Sequence, residues 1–166
     1  MKFRLSKLED ISGSEASFYS PIIGNSESTL FEEFLDAYED DYQEEIDDIV
    51  GRLLGMSKET GARKQFFEER EGKPTDGIHK LRKGEGVSHD LRLYVIHFSR
   101  GLVILGGGGP KSVRTYQEDP NLYEMVKRLQ AMDKQIMERK KDGDLSIGYL
   151  EFEGDLEFND DLFEDE

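Results

Sequence analysis

The chain has 166 residues, 36% apolar and 36% charged, with a net charge of −15 and no cysteine. That length suits a single domain with a real core. The missing cysteine excludes disulfides and thiolate-ligated zinc or iron–sulfur clusters. No apolar run approaches the ~20 residues that cross a bilayer, and the N-terminus lacks the apolar stretch of a secretory signal. The expectation is a soluble, cytoplasmic protein without membrane association. The charge is divided unevenly: residues 1–51 carry −11, residues 52–142 carry +6 and residues 143–166 carry −10. A basic centre between two acidic arms matters for partners, because a local field follows nearby charge rather than the total.

Residues 2–8 alternate polar and apolar, the pattern of an edge strand. Residues 11–28 are rich in Ser, Gly and Asn around Pro21 and read as an inserted loop. Ser28 or Thr29 caps a predicted helix with Phe31, Phe34, Leu35 and Tyr38 on one face. A second helix, 41–56, carries Tyr42, Ile46, Ile49, Val50, Leu53 and Leu54 at core spacing. Its other side, with Glu44, Glu45, Asp47 and Asp48, reads as a solvated face. Residues 57–76 give no clear element, although Phe66 and Phe67 are expected to anchor them to the core.

The organising stretch is 77–112. Its apolar runs, 93–96 and 102–105, are rich in β-branched and aromatic residues. They predict antiparallel strands over 91–98 and 102–105, joined through Ser99, Arg100 and Gly101, with glycine supplying a positive φ at the turn. A third strand is expected over 77–83. Alternation puts Leu91, Leu93, Val95 and His97 on one side and Arg92, Tyr94, Ile96 and Phe98 on the other. Asp119 and Pro120 open a final helix whose stripe is Leu122, Met125, Val126, Leu129, Met132, Ile136 and Met137, stopped by Gly143. Short strands are predicted at 147–152 and 156–158, before an acidic tail.

The four glycines 106–109 invite a phosphate-loop reading. Pro110 stands directly before Lys111 where that loop needs glycine, and the helix starts too late. A flexible turn or a close backbone approach accounts for them better. His79, His89 and His97 lack metal-ligand spacing, so no metal or other cofactor is expected. The cations are more informative. Lys80, Arg82 and Lys83 lie on or beside one strand, Arg92 on the next, and Lys111 and Arg114 beyond the third. Gathered at one sheet end, they would bind phosphate and stabilise a transferring phosphoryl group, with Tyr94 and Tyr116 nearby as proton carriers.

Two N-terminal helices, a strand ending K-L-R, then LRLYVIHF, a turn, GLVIL, a glycine-rich segment with P-K, and a closing helix together resemble the RelE/HigB-like toxins of type II toxin–antitoxin systems, in their phage-derived HigB-like branch. The likeness of arrangement spans about residues 32–141, and the likeness of residues spans 80–111. It implies a small α+β fold, a twisted antiparallel sheet of three to five strands with N-terminal helices and a C-terminal helix packed on it. One such domain would cover 1–150, with 151–166 as an acidic arm. It further implies a ribosome-associated endoribonuclease that cleaves mRNA by 2′-OH attack and is neutralised by a helix-turn-helix antitoxin. Carried over residue by residue, the catalytic positions are Lys80, Arg82, Arg92 and Lys111. Lys83, Tyr94, Arg114 and Tyr116 are expected to bind substrate. The glycine tract, the segment 11–28 and the acidic arms are departures from the family pattern. The acidic arms suit an alternative, a non-catalytic interaction protein on the same scaffold whose acidic arms bind a basic partner.

Overall fold

The computed structural model describes residues 2–69, 77–84, 90–111 and 119–159. Its strands are β1 (Phe3–Lys7), β2 (Ser17–Ile23), β3 (Phe67–Glu69), β4 (Ile78–Leu81), β5 (Leu91–Ser99), β6 (Leu102–Pro110), β7 (Leu145–Ile147), β8 (Phe152–Gly154) and β9 (Glu157–Phe158). Its helices are α1 (Leu30–Tyr38), α2 (Gln43–Gly55) and α3 (Pro120–Lys141). A mostly antiparallel sheet of seven strands runs in the order β3-β4-β5-β6-β2-β1-β9, and β7 and β8 form a separate hairpin. The sheet is thus wider than the expected three to five strands. Among the described residues the one parallel pair joins β2 to β6, with Ser17 opposite Leu102. No helix among the described residues is long and apolar enough to cross a membrane.

Strand alternation splits the core into two layers, as read for β5. Leu91, Leu93, Val95, Val103 and Leu105 pack with Phe31, Phe34, Ile46, Ile49 and Leu53 of α1 and α2. Tyr94, Ile96, Leu102 and Ile104 pack with Leu122, Val126, Leu129, Met132 and Ile136 of α3. Apolar residues on both faces mark a central strand covered on both sides. The helix starts follow their caps. Thr29 accepts from Glu32 N while Glu32 reaches back to Thr29 N, a reciprocal capping box. Asp119 accepts from Asn121 N and Leu122 N before Pro120, and Gly143 has a φ of +86° just past α3.

Four expectations are corrected. Residues 17–23, read as loop, form β2, an interior strand between β1 and β6. Pro21 is accommodated because the β6 ladder reaches only to Tyr19. Beyond it Ser20 Oγ donates to Leu105 O at 2.6 Å and accepts from Phe31 N at 3.1 Å, a side-chain substitute for the ladder. Within residues 2–8, Phe3–Lys7 form β1 but not an edge, since β9 covers it: Phe158 stacks on Phe3 with ring centroids 4.5 Å apart. Of the two readings of Gly106–Gly109, the turn is corrected and the close backbone approach holds: β6 runs through them to Pro110. A Cβ at Gly106 would lie 2.8 Å from Leu129 Cδ1, one at Gly107 2.9 Å from Met125 Cε and one at Gly109 2.8 Å from Tyr38 Oη, so the tract lets α3 and α1 close on β6 from either side. Finally, Gly101 closes the β5–β6 hairpin without a positive φ. Its missing side chain makes room for Tyr149, whose ring would lie 2.7 Å from a Cβ there.

Two face assignments also change. Glu45, expected in solvent, is 5% exposed and accepts from Leu91 N at 3.1 Å. On α3 Gln135 is buried whereas Met137 is exposed. The last strands integrate the start of the acidic arm. Phe152 meets Tyr19 edge-on, and the Arg139 guanidinium lies over the Phe158 ring while donating to Asp155 O and Glu157 O.

Candidate functional site

The ends of three adjacent strands carry the predicted cations. Lys80, near the end of β4, stands opposite Tyr94 on β5. Arg92, two residues before Tyr94, stands opposite Gly109 on β6. Lys111 follows β6, and its N–H donates to Asp90 O at 2.8 Å. Diagonal neighbours in such a ladder are ~7–8 Å apart between Cα atoms, so Lys80, Arg92 and Lys111 occupy one end of the β4–β5–β6 ladder. Arg92 and Lys111 are half-buried, Lys80 is 8% exposed, and Arg82 and Lys83 are exposed just beyond β4.

Glu68 of β3 orders two of these groups. It stands opposite Lys80, with Lys80 Nζ 3.8 Å from its Oε1, and Arg82 Nη1 lies 3.4 Å from its Oε2. Arg82 Nε also donates to Gln65 O at 2.9 Å, and Arg92 Nη1 donates to Leu91 O at 3.3 Å. Tyr94, expected to meet substrate, is 1% exposed and packs in the α3 layer. Arg114 and Tyr116 lie outside the described residues.

Helix α2 brings groups that sequence reasoning missed. Arg52 Nε pairs with Asp48 Oδ2 at 2.9 Å, and Arg52 Nη1 donates to Arg82 O at 2.6 Å, tying α2 to the chain leaving β4. With Glu45, Lys83 and Gly84 these residues line a cavity of about 20 Å³, room for one water. Only the i, i+4 spacing of Asp48 and Arg52 was a local signal. The contacts of Glu45 and Glu68 depend on strands distant in sequence. Helix α3 also begins at this end, because Met125 meets Gly107 and Leu129 meets Gly106, and Asp119 caps that N-terminus.

Elsewhere, His97 Nε2 lies 2.7 Å from Ala62 O, and its ring packs near Phe67 and His79. Burial is the main cause that holds its pKa below the ordinary histidine value, with the nearby His79 adding to the effect and the Ala62 hydrogen bond opposing it. It is a half-buried histidine whose Nε2 is met by a backbone carbonyl. Among the described residues no group of three or more His, Asp or Glu could hold a metal ion. Comparisons with protein-family models, curated proteins and solved structures find no match to this chain.

Proposed function

We propose that the chain is a RelE/HigB-like endoribonuclease, acting on mRNA at the ribosome in the cytoplasm and held in check by a helix-turn-helix antitoxin. What supports this reading most directly is the gathering of Lys80, Arg92 and Lys111 at one end of three adjacent strands. In the reaction the ribose 2′-oxygen attacks the adjacent phosphorus and the bond from phosphorus to the 5′-oxygen breaks. The products are a 2′,3′-cyclic phosphate and a 5′-hydroxyl end. Arg92 and Lys111 balance the charge that grows on the phosphoryl oxygens. Lys80 and Glu68, 3.8 Å apart, set a protonated and an unprotonated group side by side. These are the two halves needed to take the 2′-OH proton and return one to the leaving oxygen.

The test is expression from a tight promoter, with Arg92→Ala and Lys111→Ala in parallel and cleavage mapped by primer extension. Growth arrest with mapped mRNA breaks, abolished by either variant, is expected. A folded wild-type protein that neither arrests growth nor cuts mRNA overturns the proposal.

A second reading, an interaction protein that binds a basic partner, is favoured by a different surface. A groove of about 460 Å³ has Leu8, Ile11, Ile22, Phe31 and Leu35 in its lining and Glu9, Asp10, Glu27 and Glu32 around them. This reading expects a stable protein complex that survives Arg92→Ala.

A further inference from the structure

Between the end of α2 and the chain leaving β4 lies a groove of about 430 Å³ that the proposed cleavage chemistry does not use. One wall is the wide helical turn Met56–Thr60 that continues α2, and the other is Gln65 and Phe66. Met56 and Phe66 supply apolar surface, and Arg52, Arg82 and Lys83 bring three cations to a lining that also holds Glu59. The walls are cross-linked rather than loose. Arg82 N donates to Phe66 O at 3.0 Å, Arg82 Nε to Gln65 O at 2.9 Å and Arg52 Nη1 to Arg82 O at 2.6 Å. Small-ligand clefts run to about 300–1,000 Å³, so a nucleoside fits.

An aromatic wall beside cations is the chemistry that holds single-stranded nucleic acid: the base lies on the ring and its phosphate meets the positive charge. Arg82 and Lys83 belong both to this groove and to the chain that leaves β4 just beyond Lys80. Arg82 also shares Glu68 with Lys80, with Nη1 at 3.4 Å and Nζ at 3.8 Å from its two oxygens, so the groove's cations adjoin the first of the sheet-end cations. We propose that the groove is a base-binding subsite for single-stranded RNA, with the base against Phe66 and Met56 and the flanking phosphate on Arg82 and Lys83. The inference rests on the RNA reading above and deepens it, because it assigns a specificity pocket outside the reacting groups. The commitment to RNA over an acidic peptide follows from Arg82, which lines the groove and shares the Glu68 carboxylate with Lys80 of the proposed cleavage site.

The test uses two fluorescein-labelled ten-nucleotide RNAs, oligo(A) and an oligomer of the same length made wholly of abasic residues, with binding read by polarisation at several salt concentrations. Both carry the same phosphates, but only one carries bases. Wild-type protein should prefer oligo(A) by about tenfold or more, as stacking of one base allows. Phe66→Leu keeps the apolar volume and should remove that preference while leaving affinity for the abasic strand unchanged. Lys83→Ala, at an exposed site, should weaken both strands alike and lower the salt slope by about 0.7. Equal wild-type binding of the two strands, or an unchanged preference in Phe66→Leu, overturns the subsite and leaves the RNA reading standing. No binding of either strand at low salt also overturns the subsite, and the cleavage reading then stands or falls on the growth-arrest and mRNA-mapping test. Competition of a Glu-Phe repeat peptide with the abasic strand, lost in Phe66→Leu while oligo(A) binding is unchanged, also overturns the subsite, since the groove would then dock protein.

Discussion

Two glycine-to-alanine substitutions should move stability in opposite directions, for reasons that can be worked from the packing. Gly51 lies inside α2 with nothing within 4 Å of the position a Cβ would take. A methyl group there meets no neighbour and removes backbone freedom from the unfolded chain, so Gly51→Ala should stabilise by about 0.8–1 kcal/mol. Gly108 has no such room. A Cβ there would lie 2.8 Å from the Arg92 carbonyl carbon and would overlap its oxygen, and these are backbone atoms of the neighbouring strand that cannot swing aside. Either β5 and β6 separate or the strand twists off its register. Overpacking of this kind costs about 1–3 kcal/mol, and backbone contact argues for about 3. Urea unfolding followed by circular dichroism measures both: the midpoint should rise for Gly51→Ala and fall for Gly108→Ala, with an unchanged slope in the first. A Gly108→Ala protein as stable as wild type would show that β6 does not run beside Arg92, and the assembly of the cation site would fall with it.

Ser20→Ala leaves the Leu105 carbonyl and the Phe31 N–H without their shared hydroxyl. It should cost about 1–3 kcal/mol by the same unfolding measurement. Phe158→Ala removes a ring that is 1% exposed, stacked on Phe3 and covered by Arg139. It should cost about 3 kcal/mol, and limited proteolysis should then cut first near β9. Because burial lowers the His97 pKa in the folded protein, the unfolded chain takes up a proton there more readily. Its contribution is therefore present above the unfolded value near 6.5 and is lost as pH falls below that towards the folded value. His97→Gln should flatten the dependence of the thermal midpoint on pH over that window, and an unchanged profile would refute the assignment.

The helices and the β5–β6 hairpin were legible because their signals are local. Thr29 with Glu32, Asp119 with Pro120, and the runs around Leu93 and Ile104 each declare an element within a few residues. Strand β2 was hidden because its partner β6 lies more than 80 residues away and Pro21 and the serines mimic a loop. The glycine tract was half legible, as a close backbone approach but not as strand, for a related reason. Glycine has low strand propensity, and what makes it necessary here is the approach of Met125, Leu129 and Tyr38, which no neighbouring residue announces. The candidate site was half legible. Its cations sit on a recognisable hairpin and the strand before it, but Glu68 and Glu45 acquire their contacts only when β3 pairs with β4 and α2 covers β5.

That hidden carboxylate gives the sharpest separation of binding from chemistry. Glu68 holds Lys80 at 3.8 Å and Arg82 at 3.4 Å, so two cations at the site are partly neutralised by one anion. Glu68→Gln keeps the shape and removes the charge. RNA phosphates would then meet two cations relieved of a competing carboxylate, and affinity for single-stranded RNA should rise, with the salt slope steeper by about 0.7 for each phosphate newly neutralised. If Glu68 also accepts the 2′-OH proton, the same substitution should slow cleavage by about 10²–10⁴-fold under saturating substrate. Tighter binding with slower turnover is a combination that simple unfolding cannot produce. A variant that binds more tightly and cleaves as fast as wild type would confine Glu68 to electrostatic tuning and move the base elsewhere. One that binds no better would mean that phosphates do not reach Lys80 or Arg82 at all.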